Sequence, residues 1–179
     1  MARLFPAAVF RFRVMFVLLG ILLIQFPAFA QETTKRETDL PLPRFVSLKS
    51  DRVNVRVGPS RTYDIAWTFV QSGLPVEIIR EFENWRQIRD WEGKQGWVFH
   101  SLLTGRRTAL VTPWEKNNRT PLRARSRSDA DIVAELDPFV LASVTECAGG
   151  WCRVTGEGYD GWLDQTRLFG VYPDELLEN

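Results

Sequence analysis

Three short patterns occur twice in this chain, in the same order and at nearly the same spacing. Val55-Arg56-Val57, followed by a polar loop, returns as Leu122-Arg123-Ala124. Trp85-Arg86-Gln87-Ile88 returns as Trp151-Cys152-Arg153-Val154. Gly96-Trp97-Val98-Phe99-His100-Ser101-Leu102-Leu103 returns as Gly161-Trp162-Leu163-Asp164-Gln165-Thr166-Arg167-Leu168. Repetition of this kind marks an internal duplication, so one structural unit must be built twice. It predicts a first unit over residues 44–111, a second over residues 120–172 and a short C-terminal tail at residues 173–179.

Within each unit the local pattern is that of short strands. Phe45-Val46-Ser47-Leu48 and Val53-Asn54-Val55-Arg56-Val57 alternate with period two, as half-buried strands do. Gly58-Pro59-Ser60 breaks the alternation and opens a loop through Asp64. Pro75 to Phe82 resumes it, with Val76, Ile78 and Arg80 expected on one side. Glu83-Asn84 then turns the chain into a returning strand from Trp85 to Trp91. Glu92-Gly93-Lys94-Gln95 is a second tight turn, with glycine where positive φ is needed. Gly96-Trp97-Val98-Phe99 follows, then a short helical turn from His100 to Gly105, and Arg106 to Val111 is expected to close the unit. No stretch keeps helical periodicity for three turns, so the fold class is all-β.

Units this small bury a marginal core. The large rings of Trp and Phe compensate in both. The second unit also holds the chain's two cysteines, Cys147 and Cys152, flanking Ala148-Gly149-Gly150-Trp151 across a hairpin. An exported chain meets an oxidising compartment, which favours a disulfide. A structural zinc site is the competing use, but it needs four ligands and the chain offers two Cys and the single His100. At the matching places the first unit has Glu81 or Phe82, and Arg86. Neither a metal nor a cofactor is expected.

The compartment is read from the first thirty residues. Arg3, Arg11 and Arg13 are their only charges, an apolar run follows from Val14 to Ile24, and the segment closes on Ala28-Phe29-Ala30. That order is a secretory signal peptide over residues 1–30, cleaved after Ala30. An uncleaved anchor is the alternative, although the run is shorter than the roughly 20 residues a membrane-crossing helix needs. Residues 31–43 are polar and charged and read as a disordered linker. The chain carries 23 basic and 22 acidic side chains; removing three arginines with the signal leaves 20 and 22, a net charge of −2. Nucleic-acid binding wants a basic face and is not expected. After cleavage no stable membrane span remains, and the location is periplasmic or secreted.

Val53-Asn54-Val55-Arg56-Val57-Gly58-Pro59-Ser60, Gly73-Leu74-Pro75-Val76-Glu77-Ile78, Trp85-Arg86-Gln87-Ile88 and Gly96-Trp97-Val98 resemble the bacterial SH3 (SH3b) family. The first unit is similar to an exported alphaproteobacterial subgroup, through Glu81 to Arg86 and Asp90 to Gly93 running into Leu102 to Ala109. In the second unit Cys147, Trp151-Cys152-Arg153-Val154 and Gly161-Trp162-Leu163 look like its disulfide-bearing variant. The resemblance implies two tandem SH3-like five-stranded barrels and a binding role, often towards cell-wall peptide, with no reaction. Fold likeness alone does not assign a ligand.

Tyr63, Trp67, Trp85 and Trp91 are the candidate ligand-binding residues, a loop aromatic facing hairpin aromatics across a shallow groove for extended peptide. Trp85 and Trp97 have a competing place in the core, and Trp97 and Trp162 are expected there. Arg119, Arg123, Arg125 and Arg127 could meet an anionic partner, but Asp129 and Asp131 offset them and a solvated loop is the simpler account. Arg86, Arg89 and Asp90 are read as a surface ion pair worth little. His100 is the only histidine, and no nucleophile elbow, metalloprotease helix or phosphate loop is found, so no catalytic residue is assigned. Two partners stay open: peptidoglycan or its cell-wall peptide, and an extended segment of an envelope protein bound by a protein–protein adaptor.

Overall fold

The computed structural model describes residues 38–178. The signal segment, its cleavage site and linker residues 31–37 lie outside the described residues. Among those described, no helix is long and apolar enough to cross a membrane.

Two seven-stranded antiparallel sheets account for nearly all of the regular secondary structure among the described residues. The first holds β1 (Arg44–Leu48), β2 (Val53–Arg56), β3 (Ile65–Phe69), β4 (Pro75–Phe82), β5 (Trp85–Arg89), β6 (Gln95–Phe99) and β7 (Leu103–Thr104), in the order β3-β2-β6-β5-β4-β1-β7. The second holds β8 (Thr108–Val111), β9 (Thr120–Arg123), β10 (Ile132–Leu136), β11 (Leu141–Ala148), β12 (Trp151–Gly156), β13 (Tyr159–Asp164) and β14 (Leu168–Phe169), in the matching order β10-β9-β13-β12-β11-β8-β14. Flat sheets of this width would hold their outer strands far apart, given about 4.8 Å between neighbours. Here Val46 and Leu48 of β1, Val55 of β2, Phe69 of β3, Ile88 of β5 and Val98 of β6 share one core, so the first sheet is curled into a barrel. Leu122, Leu136, Val144, Val154, Leu163 and Leu168 do the same in the second. Each SH3-like barrel therefore carries the five expected strands plus an edge strand (β3, β10) and a two-residue strand (β7, β14).

The duplication holds at the level of register. Ile88 faces Gly96 as Val154 faces Gly161, and Arg56 faces Trp97 as Arg123 faces Trp162. Glycine is required before each of these tryptophans because it points into the barrel: a Cβ on Gly161 would stand 2.7 Å from Leu122 Cγ and from the Arg123 carbonyl oxygen. The bulge in β4 between Ile78 and Arg80 recurs in β11 between Val144 and Glu146.

Several expectations need correction. The β4 bulge adds a residue and flips the phase, so Arg80 points to solvent and Glu81 turns inward. Thr108–Val111 does not close the first unit; it is the first strand of the second sheet, pairing with β11 and β14. The end of the linker is not free, since Thr38 Oγ1 donates to both carboxylate oxygens of Glu81 at 2.9 Å and Leu42 packs on the first core. The tail is also tied down, by the backbone pairing of Leu177 with Cys147. Trp97 is buried but sits outside the barrel core, because Gly96 and Val98 take the inward positions on β6. Trp162, its counterpart, is half-buried on the outer face of β13.

The barrels pack directly on each other. Leu110 of β8 is buried in the first core, with Leu141 and Phe169 against it. Phe45 meets Phe169 at 5.2 Å and Tyr172 at 4.7 Å, and the Tyr172 hydroxyl donates to Glu77 at 2.9 Å. Thr108 Oγ1 donates to the Gly73 carbonyl at 2.6 Å. Trp114, in the segment between β8 and β9, is exposed.

Candidate functional site

Alternation along β5 and β6 puts Ile88 and Val98 inside the first barrel and Trp85 and Phe99 on its outer face, paired across the strands; Trp85 is nonetheless buried there and Phe99 half-buried. Their rings meet edge to face at 5.4 Å and 80°. The same outer face carries Asn54 and Arg56 of β2. Arg56 Nη1 donates to the Tyr63 carbonyl at 2.6 Å, which holds the loop after β2 beside the face. That loop delivers Arg61, whose guanidinium carbon lies 5.5 Å from the Phe99 ring centroid, a cation–π contact. Arg52, just before β2, completes the rim. These residues, with Ser101 and Leu102 of the short 3-10 turn His100–Leu102, line an open groove of about 410 Å³. No carboxylate lines it, and among the described residues none of its three arginines is held in an ion pair. An aromatic floor under unpaired guanidinium groups suits an anionic ligand with an apolar or planar body.

Of the four aromatic residues singled out in the sequence, Trp85 lines this groove. The other three stand elsewhere. Tyr63 is exposed in the loop and covers Gly58. Trp67 belongs to strand β3 and packs on the core beside Phe69 at 6.1 Å, its indole Nε1 buried with no hydrogen-bond partner. Trp91 also packs on the core, 6.0 Å from Phe69 and 6.4 Å from Phe139 of the second barrel. One groove made of all four does not form. Sequence reasoning missed Phe99, Arg52, Arg56 and Arg61. Trp85 and Phe99 lie at odd offsets from the inward Ile88 and Val98, which places both on the outer face, and Arg56 is likewise one residue from the inward Val55.

The remaining charged candidates also separate. Arg86 is not at the surface: its Nε lies 3.2 Å from Glu81, inside one end of the first barrel, where Arg44 pairs with the same carboxylate. Burial opposes the ionisation of Glu81, but hydrogen bonds from Arg44 and Thr38 and the charges of Arg86 and Arg44 outweigh it, so its carboxyl stays below the ordinary value. Asp90 Oδ1 accepts from the backbone N–H groups of Glu92 and Lys94 and fixes the turn; burial, its largest influence, raises it. In the second barrel Cys147 and Cys152 form the disulfide at the register position that Glu81 and Arg86 occupy in the first. Arg127 pairs with Asp129 in the solvated loop, while Arg119 and Arg123 line a second groove. His100 is exposed, its ring tilted against Phe99 at 5.0 Å.

A twice-built SH3-like barrel with an open groove on its outer face defines a binding-module architecture. The chain belongs to the bacterial SH3 domain family, whose model matches residues 49–105 and 116–170, one match per barrel. It is similar to the Putative N-acetylmuramoyl-L-alanine amidase YrvJ of Bacillus subtilis (strain 168), at 27% identity over 123 residues covering 65% of this chain; the match spans 24% of that amidase's length. Among solved structures, NlpC1 of Trichomonas vaginalis aligns at 12% identity over 73% of this chain and 47% of its own, with a TM-score of 0.33. NlpC2 of the same organism aligns at 11% identity over 71% and 48%, also at 0.33.

Proposed function

We propose that this chain is an exported, non-catalytic binding module of the bacterial cell envelope, and that its first barrel holds carboxylate-bearing cell-wall peptide in the groove over Trp85 and Phe99. The observation that carries this reading is the groove's chemistry: three arginines without a lining carboxylate, above an edge-to-face aromatic pair. Wall peptides are short, extended and rich in carboxylates, which guanidinium groups grip through paired hydrogen bonds. The relationship to part of an amidase named for N-acetylmuramoyl-L-alanine supports wall peptide over other anions. The signal-like first thirty residues support export. Both cysteines are spent in the disulfide, which favours binding over thiol chemistry.

The test is pelleting of the purified protein with isolated sacculi at low and moderate salt. Retention above that of an unrelated protein, weakening as salt rises, is expected. No retention at either salt overturns the reading. A second reading, an adaptor for an extended protein segment, is favoured by the edge strands β3 and β10, which expose Ile65, Ile132 and Val133. Absence from the pellet together with reproducible in-cell cross-linking to one envelope protein is the outcome that selects it.

A further inference from the structure

The second barrel has a groove at the position equivalent to the first. Trp151 pairs with Asp164 across β12 and β13 as Trp85 pairs with Phe99 across β5 and β6. Arg123 faces Trp162 as Arg56 faces Trp97, and it donates to the Ala130 carbonyl at 2.7 Å as Arg56 donates to that of Tyr63. The groove encloses about 390 Å³, close to the first in size. Duplication has therefore kept an arginine and a tryptophan at matching places and changed what surrounds them.

The change is in charge. Asp164 stands where the first barrel has Phe99, and Ser128 stands on the loop where it has Arg61. Glu115, from the segment joining the barrels, adds a second carboxylate. Two of the lining cations are neutralised within the chain, Arg119 by Asp137 at 2.7 Å and Arg167 by Glu115 at 2.6 Å. Arg123 and Asp164 are left as a cation and an anion with no ion-pair partner among the described residues, on adjacent strands beside Trp151. Asp164 does have a structural task, because its Oδ1 accepts from Thr166 N at 2.8 Å and Thr166 Oγ1 at 2.6 Å. Its Oδ2 is not used in that cap.

We infer that the second groove is a distinct subsite for a zwitterionic group, an amino-acid centre presenting an ammonium to Asp164 and a carboxylate to Arg123, with its aliphatic part against Trp151. The two barrels then read unlike charges, the first an anion and the second an ammonium–carboxylate pair. This rests on the wall-peptide reading above and names the part of the peptide that the second barrel takes.

The experiment follows the indole N–H signals of ¹⁵N-labelled protein by NMR during titration with two synthetic stem peptides. In one, a diamino acid residue presents a free ammonium beside its own carboxylate; in the other that nitrogen is acetylated. The free peptide is expected to move the Trp85 and Trp151 signals. Acetylation should leave the Trp85 affinity unchanged and weaken the Trp151 response about fivefold, the scale of a partly screened ion pair. Asp164→Asn keeps the capping oxygen and removes the charge, so it should reproduce the loss at Trp151 alone; Glu115→Gln, which leaves the cap untouched and frees the Arg167 cation beside the ammonium's place, should weaken the same response by repulsion. Equal affinity of the two peptides at Trp151, or a Trp151 signal that stays still while Trp85 moves, overturns this inference and leaves the first-groove reading standing. If neither signal moves, both fall.

Discussion

Glu81 has almost no solvent access, and its charge is held by Arg44, Arg86 and Thr38 at one end of the first barrel. Glu81→Gln removes the one carboxylate that Arg44 and Arg86 share in this buried cluster, so it should cost about 3 kcal/mol of stability, read by urea denaturation at neutral pH. Its carboxyl is below the ordinary value when folded, so the stabilisation is full above the unfolded carboxylate range and is lost as pH falls through the lower folded value. The wild type should therefore lose stability on acidification more steeply than Glu81→Gln. A variant with wild-type stability and an equal acid slope would remove the cluster from the account. At this scale the sequence was legible wherever alternation was unbroken: Val53, Val55, Ile88 and Val98 are buried as their period requires. It misled at Trp97, where ring size argued for the core while the inward-pointing Gly96 beside it argued for the outer face. It misled again at Arg86, because what turns Glu81 inward to meet that arginine is a bulge, and no residue type announces one.

The hairpins β4–β5 and β11–β12 solve one problem in two ways. The position filled by an ion pair in the first is filled by a disulfide in the second, and Arg107, at the end of the loop leading into β8, takes its carboxylate from Glu175 in the C-terminal segment. Burial opposes the charge of Glu175, and the hydrogen bonds from Arg107 and the Tyr172 N–H override it, so its carboxyl lies below the usual range. Reduction of Cys147–Cys152 should lower stability by about 2 kcal/mol, the loop-closure value for so short a ring. The Trp85–Phe99 groove lies on the other barrel and should keep its ligand affinity under reduction, measured by calorimetry with a wall peptide. Lost affinity would show that the groove depends on the second hairpin. The cysteine pairing and the Gly93 turn were visible in the sequence, since the disulfide forms and Gly93 takes the positive φ its place predicts. The strand β3 was not. Its alternating Ile65, Trp67 and Phe69 follow a long polar loop, and an edge strand with Ile65 exposed looks like the loop's continuation.

Across the whole described molecule, the two barrels share buried surface instead of a flexible tether. Leu110 belongs by backbone pairing to the second sheet and by side chain to the first core. Leu110→Ala should cost about 3 kcal/mol. Because one side chain serves both units, calorimetry of the wild type should show a single unfolding transition, with the variant's midpoint lowered as one peak. Two separated peaks in the wild type would mean that the interface does not couple them. Duplication was read correctly from three repeated patterns, yet the boundary between units fell too late, because Thr108–Val111 continues the first unit's chain without a turn signal and only pairing reveals which sheet it joins. The groove itself depends on a loop, three strands and a 3-10 turn brought together, a relation that spacing does not encode. The claim on which the account turns is that this cationic, aromatic-floored groove is what holds the wall. It is tested most directly by comparing sacculus retention of the wild type with that of Arg52→Gln/Arg61→Gln, two exposed changes that leave the core intact. The account predicts at least about a fivefold drop in retention at low salt with an unchanged unfolding midpoint. Equal retention of the two proteins would contradict it.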